Sequence, residues 1–239
     1  MIKIKFNLRN MAAIAACLAG TVMFASCTKN SNDFSNSDVN IIKVENIEGF
    51  ENVAEIKAHV AETQWSKYCV AEASIKNNGF ELYLPSVLSD NYLIPVVNET
   101  MQSVSISAPS AKWAFLGFEV ESTNKSLYHI LVLDNSLNQP DGTATKEVVY
   151  VYANRPVELS GNATWKQQQP PWSSLWLPYE TEISVTYKNL TLVAGLNMIC
   201  MEKSFETISD DLRKVYYTYS NKKTSDCKWR LIVHDFSGY

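Results

Sequence analysis

Residues 53–62 read VAEIKAHVAE, a stretch in which apolar and polar side chains alternate. Ile56, Ala58 and Val60 fall on one side of an extended chain, and Lys57 and His59 fall on the other. Successive side chains of a β-strand point to opposite faces of its sheet, so this period of two predicts a strand with one buried and one solvent-exposed face. The rest of the domain follows the same pattern.

A tight turn separates the next two strand candidates, residues 68–75 and 80–84. It contains Asn77, Asn78 and Gly79. Asparagine and glycine tolerate the positive φ angles that two-residue hairpin turns require. We therefore expect the two segments to pair as a hairpin, with the apolar phase of the second strand facing the core.

Further short strands follow along the chain, separated by Asp, Asn, Pro and Gly turn residues. Helical signals are few, and the best case is a single turn at 209–213 with Ser209 as its cap. Many short strands with little helix predict an all-β fold, an antiparallel β-sandwich, with an up-and-down β-barrel as the alternative. The other predicted strands are 104–107, 113–120, 128–133, 147–153, 156–160, 182–190, 198–203, 215–219 and 229–235.

The N-terminus resembles a bacterial lipoprotein signal peptide. A basic start is followed by an apolar run at 11–24 and by small residues before Cys27. The run is shorter than the ~20 residues that a membrane-spanning helix needs. A second box ends at Cys17, but its apolar core would be only about one helical turn long. An ordinary secreted protein cut nearby is the alternative.

This resemblance implies that Cys27 is the lipidated N-terminal residue of the mature protein. Two or more acyl chains make a lasting membrane anchor. We therefore divide the chain into a signal peptide (1–26), the lipidated cysteine with a flexible Ser- and Asn-rich tether (27–40) and a single β domain (41–239). The signal peptide contains three basic and no acidic residues, so its removal lowers the formal net charge from −4 to about −7. That charge argues against a nucleic-acid partner.

Three segments resemble recurring parts of uncharacterised envelope lipoproteins of the Bacteroidota type. They are FELYLP at 80–85, VYVYANRPVELSG at 149–161 and LVAGLNMI at 192–199. Their order behind a lipoprotein signal is similar too. The resemblance implies an all-β domain anchored in the bacterial outer membrane, on either its periplasmic or its surface face, and it implies no known activity.

The cysteines and histidines give no strong chemical motif. Cys200 and Cys227 are spaced so that a long β connection could join them in a disulfide, although each also fits a small buried hydrophobe. No CxxC or HxxxH spacing predicts a metal site, and no motif predicts a cofactor or a catalytic residue. The 25 Asp and Glu residues allow many carboxylate pairs of the kind that glycoside hydrolases use.

The segment 165–179 departs most from the strand pattern, because its aromatic residues lie among prolines and amides. Aromatic faces beside Gln and Ser suit stacking against sugar rings. The alternative is a lid folded over the open end of the sandwich, with the first tryptophan finishing a strand. The predicted ligand-binding residues are Trp165, Trp172, Trp176 and Tyr179.

These observations favour a lipid-anchored, non-catalytic binding or display module of the cell envelope, with a glycan as the leading ligand. One alternative is a structural or assembly subunit that pairs with a protein partner through a β edge. A second alternative is a glycoside hydrolase-like enzyme. In each case the N-terminal lipid links the protein to the membrane.

Overall fold

A computed structural model of the chain describes residues 41–45, 47, 53–61, 67–98, 100–122, 127–135, 144–168, 180–209 and 212–235. The predicted signal peptide and tether, including Cys27, lie outside these residues. So do Trp172, Trp176 and Tyr179.

Strands dominate the described residues, where the helical element is a short 3-10 turn at Asp90–Tyr92. This confirms the predicted all-β class. The strands are β1 (Ile41–Val44), β2 (Val53–Ala61), β3 (Lys67–Ser74), β4 (Phe80–Tyr83), β5 (Ile94–Pro95), β6 (Val104–Ile106), β7 (Lys112–Ser122), β8 (Leu127–Asp134), β9 (Thr145–Ala153), β10 (Val157–Gln168), β11 (Glu180–Leu192), β12 (Gly195–Ser209), β13 (Leu212–Ser220) and β14 (Lys228–Asp235).

One large sheet joins twelve of these strands in the order β3-β2-β7-β8-β9-β12-β13-β11-β10-β6, with β14 beside β8 and β5 beside β7. A second sheet contains β1 and β4. Across the described strands the large sheet is not closed into a barrel, which favours the predicted sandwich. The strand pairs are antiparallel except β11 and β13, which run parallel because β13 returns between β11 and β12.

The predicted turn after β3 is confirmed, but the predicted hairpin ladder is wrong. Asn77 and Asn78 have φ angles of 52° and 57°, and Lys76 and Gly79 form an isolated bridge. Beyond that bridge β3 pairs with β2, and β4 pairs with β1. The backbone of β1 comes so close that a Cβ on Gly79 would lie 2.4 Å from the carbonyl oxygen of Val44.

The predicted helical turn at 209–213 is also wrong. Ser209 ends β12 and Leu212 begins β13, and these two residues pair with each other. Cross-strand pairing of β13 with residues 200–209 of β12 outweighs a weak local capping signal.

Two hydrophobic cores lie on opposite faces of the large sheet. The first core includes Ile56, Ala58 and Val60, so the predicted alternation of β2 is confirmed. It lies between the large sheet and the β1–β4 pair. The second core lies on the other face of β9 to β13. Strand β9 contributes to both cores, with Tyr150 facing the first and Val151 facing the second.

The large sheet curls around the second core. Strands β7 and β11 are four positions apart through β9, β12 and β13, which is about 19 Å in a flat sheet. Nevertheless the ring centroid of Trp113 on β7 lies 6.3 Å from that of Tyr187 on β11. The rings of Phe115 and Tyr219 are 6.1 Å apart. We call the side of β9 to β13 that carries the second core the concave face.

The three segments on which the family resemblance rests meet at one place. The hydroxyl of Tyr152 donates a hydrogen bond of 2.5 Å to the carbonyl of Pro85. Tyr152 is also the cross-strand partner of Leu196. Next to it, Gly195 has a φ of 94°, and a Cβ there would lie 2.8 Å from the carbonyl oxygen of Ser86. These residues therefore have a structural role.

Replacing Gly79 with alanine should destabilise the domain by about 2 kcal/mol, because the added Cβ would collide with the backbone of β1. Gly117→Ala is the matched control, since a Cβ at Gly117 on β7 would meet no atom within 4 Å. We expect its stability to be unchanged or raised by up to about 1 kcal/mol. Urea unfolding of both variants is the measurement, and equal losses would contradict the proposed contact.

Candidate functional site

The face of β9 and β12 that carries the second core also carries charged residues at one end of these strands. On β9, Glu147 lies on the same face as Val149. On β12, Lys203 and Phe205 lie on the same face as Met201. On β13, Tyr217 is the cross-strand partner of Lys203, and Arg213 lies two residues before the partner of Phe205. Trp165 lies on β10, two strands beyond β13. We call the following residues the charged end of the concave face: Glu147, Trp165, Lys203, Phe205, Arg213 and Tyr217.

Trp165 is the predicted ligand-binding residue that the structure describes. It lies within β10 opposite Ile183 and is half-buried against the second core. The strand continues to Gln168, which pairs with Glu180 at the start of β11. The segment 169–179, with the other three predicted residues, is therefore joined to the sheet at the charged end. The role of those three residues stays a prediction.

An arginine and a phenylalanine stack at the tip of the charged end. The guanidinium carbon of Arg213 lies 4.2 Å from the ring centroid of Phe205. This ring is 46% exposed, which is unusual for a phenylalanine in a paired strand. The Nε of Arg213 is screened from solvent and has no hydrogen-bond partner among the described residues. Nearby, the ammonium of Lys203 lies 5.9 Å from the ring centroid of Tyr217.

A buried ion pair borders the charged end. Arg230 on β14 donates two hydrogen bonds to Asp134 on β8, from Nε to Oδ1 at 2.9 Å and from Nη2 to Oδ2 at 2.6 Å. The side chains are 3% and 11% exposed. The hydrogen bonds of such a bidentate ion pair are shorter and stronger than those between neutral groups. Asp134 is also the cross-strand partner of Glu147.

This setting perturbs the carboxyl group of Glu147. Burial raises its pKa from 4.5 to about 7, and the neighbouring charge of Asp134 acts in the same direction. Lys203 and Arg230 partly oppose the rise. Glu147 therefore exchanges a proton near neutral pH, which makes it the group at the charged end whose charge responds to physiological conditions.

The two cysteines considered for a disulfide are both buried, and in the structure both are thiols. Burial raises the pKa of the Cys227 thiol to about 11, and a hydrogen bond from Thr224 opposes that rise, whereas Asp226 and Cys200 add to it. The Sγ of Cys227 contacts the carbonyl of Lys146, two residues before Val148, which is the cross-strand partner of Cys200. The pairing of the two cysteines stays a prediction. Within the described residues, no group of three His, Cys, Asp or Glu side chains could hold a metal ion.

Comparisons with protein-family models, with curated proteins and with solved structures found no match for this chain. In the part of the chain that the structure describes, no helix is long and apolar enough to cross a membrane.

Most of the charged end was missed by the sequence analysis. A usable signal was present at Glu147, because a carboxyl group occurs there in the same phase as Val149 and Val151. Arg213 was hidden by the helical turn expected around it. Phe205 and Lys203 gave no signal, because their neighbours belong to other strands and only the register brings them together.

Replacing Glu147 with glutamine should remove part of the pH dependence of stability. A raised pKa means that the folded state binds the proton more tightly than the unfolded state does, so stability is full below about pH 4.5 and falls as the pH rises to about 7. The predicted loss for the wild type is about 2 kcal/mol after allowance for partial exposure.

Urea unfolding between pH 4.5 and 8 measures this effect. Glu147→Gln should be more stable than the wild type at pH 8 and should differ little at pH 4.5. Glu158→Gln, at an exposed position on β10, is the matched control and should follow the wild-type profile. An unchanged pH profile in Glu147→Gln would contradict the assignment.

Proposed function

We propose that this chain is a lipid-anchored protein of the bacterial outer membrane that binds glycans through the charged end of the concave face. The observation that carries the proposal is the exposed Phe205 ring with the Arg213 guanidinium stacked on it. An aromatic face next to charged hydrogen-bond donors is an arrangement that suits a sugar, which has apolar C–H faces and a rim of hydroxyl groups.

Other features of the charged end support this proposal. Trp165 adds a second, half-buried aromatic ring in the same row of the sheet as Phe205, three strands away through Val215 and Ile183. The tryptophan-rich segment 169–179 is joined to the sheet at the same end, and we propose that Trp172, Trp176 and Tyr179 extend the binding surface.

The alternatives have less support. A hydrolase would need two carboxyl groups flanking a sugar, and Asp134 and Glu147 are directly opposite each other on β8 and β9. Both oxygens of Asp134 are bound by Arg230, so this carboxylate is held in a structural ion pair. An assembly subunit would pair through β3 or β6, the strands at the two ends of the sheet order. No further observation favours either role.

Acylation of Cys27 is the first test of the proposal. Mass spectrometry of the native protein should find a mature N-terminus at Cys27 that carries acyl chains, and the protein should partition into detergent. Cys27→Ser should abolish both properties, whereas Cys17→Ser, in the shorter second box, should keep them. An unmodified N-terminus or a retained signal peptide in the wild type would contradict the anchor.

Glycan binding at the charged end is the second test. The full-length mature protein in detergent is screened on a glycan array, and affinities for the bound glycans are measured by calorimetry. Phe205→Ala should weaken binding at least tenfold, through loss of about 1.4 kcal/mol of stacking. It should lower the unfolding midpoint only modestly, because 46% of the residue is exposed to solvent.

Tyr83→Ala is the matched control for Phe205→Ala. Tyr83 is 64% exposed on β4, which belongs to the other sheet. This variant should bind glycans as the wild type does. Absence of binding to every glycan on the array, or equal losses in the two variants, would contradict the proposed site.

A further inference from the structure

We infer that the ligand of the charged end is a glycan that carries a carboxylate, as uronic acid sugars do, and that Arg213 binds this carboxylate. The inference rests on the proposed function and adds the ligand class and the residue that selects it. It is carried by the surroundings of the Arg213 guanidinium and by a comparison with a second arginine of the same sheet.

Arg230 provides the comparison. Its Nε and one terminal nitrogen form an edge with two parallel N–H donors, and Asp134 fills that edge with both carboxylate oxygens. The geometry of a planar guanidinium matches a planar carboxylate in this way, whereas an ammonium group does not. The same edge of another arginine in this sheet is suited to a carboxylate when its Nε has no other partner.

Arg213 has the same edge but no acid beside it in the sheet. Its cross-strand neighbours are Thr207 on β12 and Thr181 on β11, which are both uncharged. Its Nε lacks a hydrogen-bond partner in the described part of the chain, and no ion pair to Arg213 occurs there. The adjacent Lys214 faces the other way and pairs with Glu182. Because this Nε is screened from solvent, a ligand carboxylate reaches it as the side chain adjusts on binding, and the new bond then removes the cost of a buried N–H without a partner.

The side chains next to Arg213 indicate two further properties of the ligand, an apolar face and additional negative charge. Phe205 orients the guanidinium by stacking and still exposes 46% of its own surface, which is enough for an apolar sugar face. Lys203 precedes Phe205 by two residues on the same side of β12, and its ammonium lies over the ring of Tyr217, so both cations are on the face of the sheet that carries Phe205. A chain of acidic sugars has the complementary pattern of apolar rings and regularly spaced carboxylates.

Methyl esterification of the ligand tests the inference, because it removes the carboxylate charge and leaves the sugar ring unchanged. The probes are an oligogalacturonate and its methyl ester of equal length, with calorimetry on the full-length mature protein at two salt concentrations. We expect the free acid to bind at least tenfold more tightly than the ester. Arg213→Gln should remove that difference, and Arg213→Lys should restore only a small part of it, because lysine keeps the charge but not the two-pronged edge.

Arg155→Gln is the matched control. Arg155 is an exposed arginine that donates to Ser110 outside the charged end, so its loss should leave the ratio of acid to ester binding unchanged. Unfolding midpoints of all three variants establish that they are folded. Equal affinity for acid and ester, or an unchanged ratio in Arg213→Gln, would overturn the inference, and binding of neutral glycans would still support the proposed function. Absence of binding to all glycans would overturn both.

Discussion

Burial of strand β9 on both faces is the constraint on which the rest of the structure depends. All residues from 148 to 153 are buried, with Tyr150 and Tyr152 on one side and Val149 and Val151 on the other. A strand of this kind needs an apolar layer on each face. The β1–β4 pair contributes one layer, and the curl of the large sheet on itself supplies the other. The ring of Tyr150 stacks parallel to Trp229 at 6.3 Å within the first layer.

The order of strands in the sheet differs from their order in the sequence, and side-chain amides support the resulting connections. Asn197 accepts a hydrogen bond from the N–H of Val193 and donates to the carbonyls of Val193 and Gly195. Asn221 bonds in the same two-way manner to the backbone of Thr191. Each amide gives hydrogen-bond partners to the backbone where β11 and β12 extend past the end of β13 and lack a neighbouring strand.

The charged end lies next to the last apolar residues of the second core on the concave face. Placing carboxylates and cations on a partly buried phase is costly unless they are paired, and the two-pronged bond between Asp134 and Arg230 meets that requirement. Glu147 meets it differently, by a pKa close to neutrality. The exposed stack of Phe205 and Arg213 contributes little to the core. Groups kept at such a cost on a rigid sheet are suited to recognition.

Local sequence patterns determined the all-β class, the buried phase of β2 and the tight turn at Asn77, because a period of two and a positive φ angle are properties of short segments. Only the tertiary structure decided that β4 pairs with β1, that β13 lies between β11 and β12, and that Glu147, Phe205 and Arg213 share one end of a sheet. These choices depend on which distant strands bury each other's apolar faces, and that information is spread over the whole chain rather than contained in any one stretch of it.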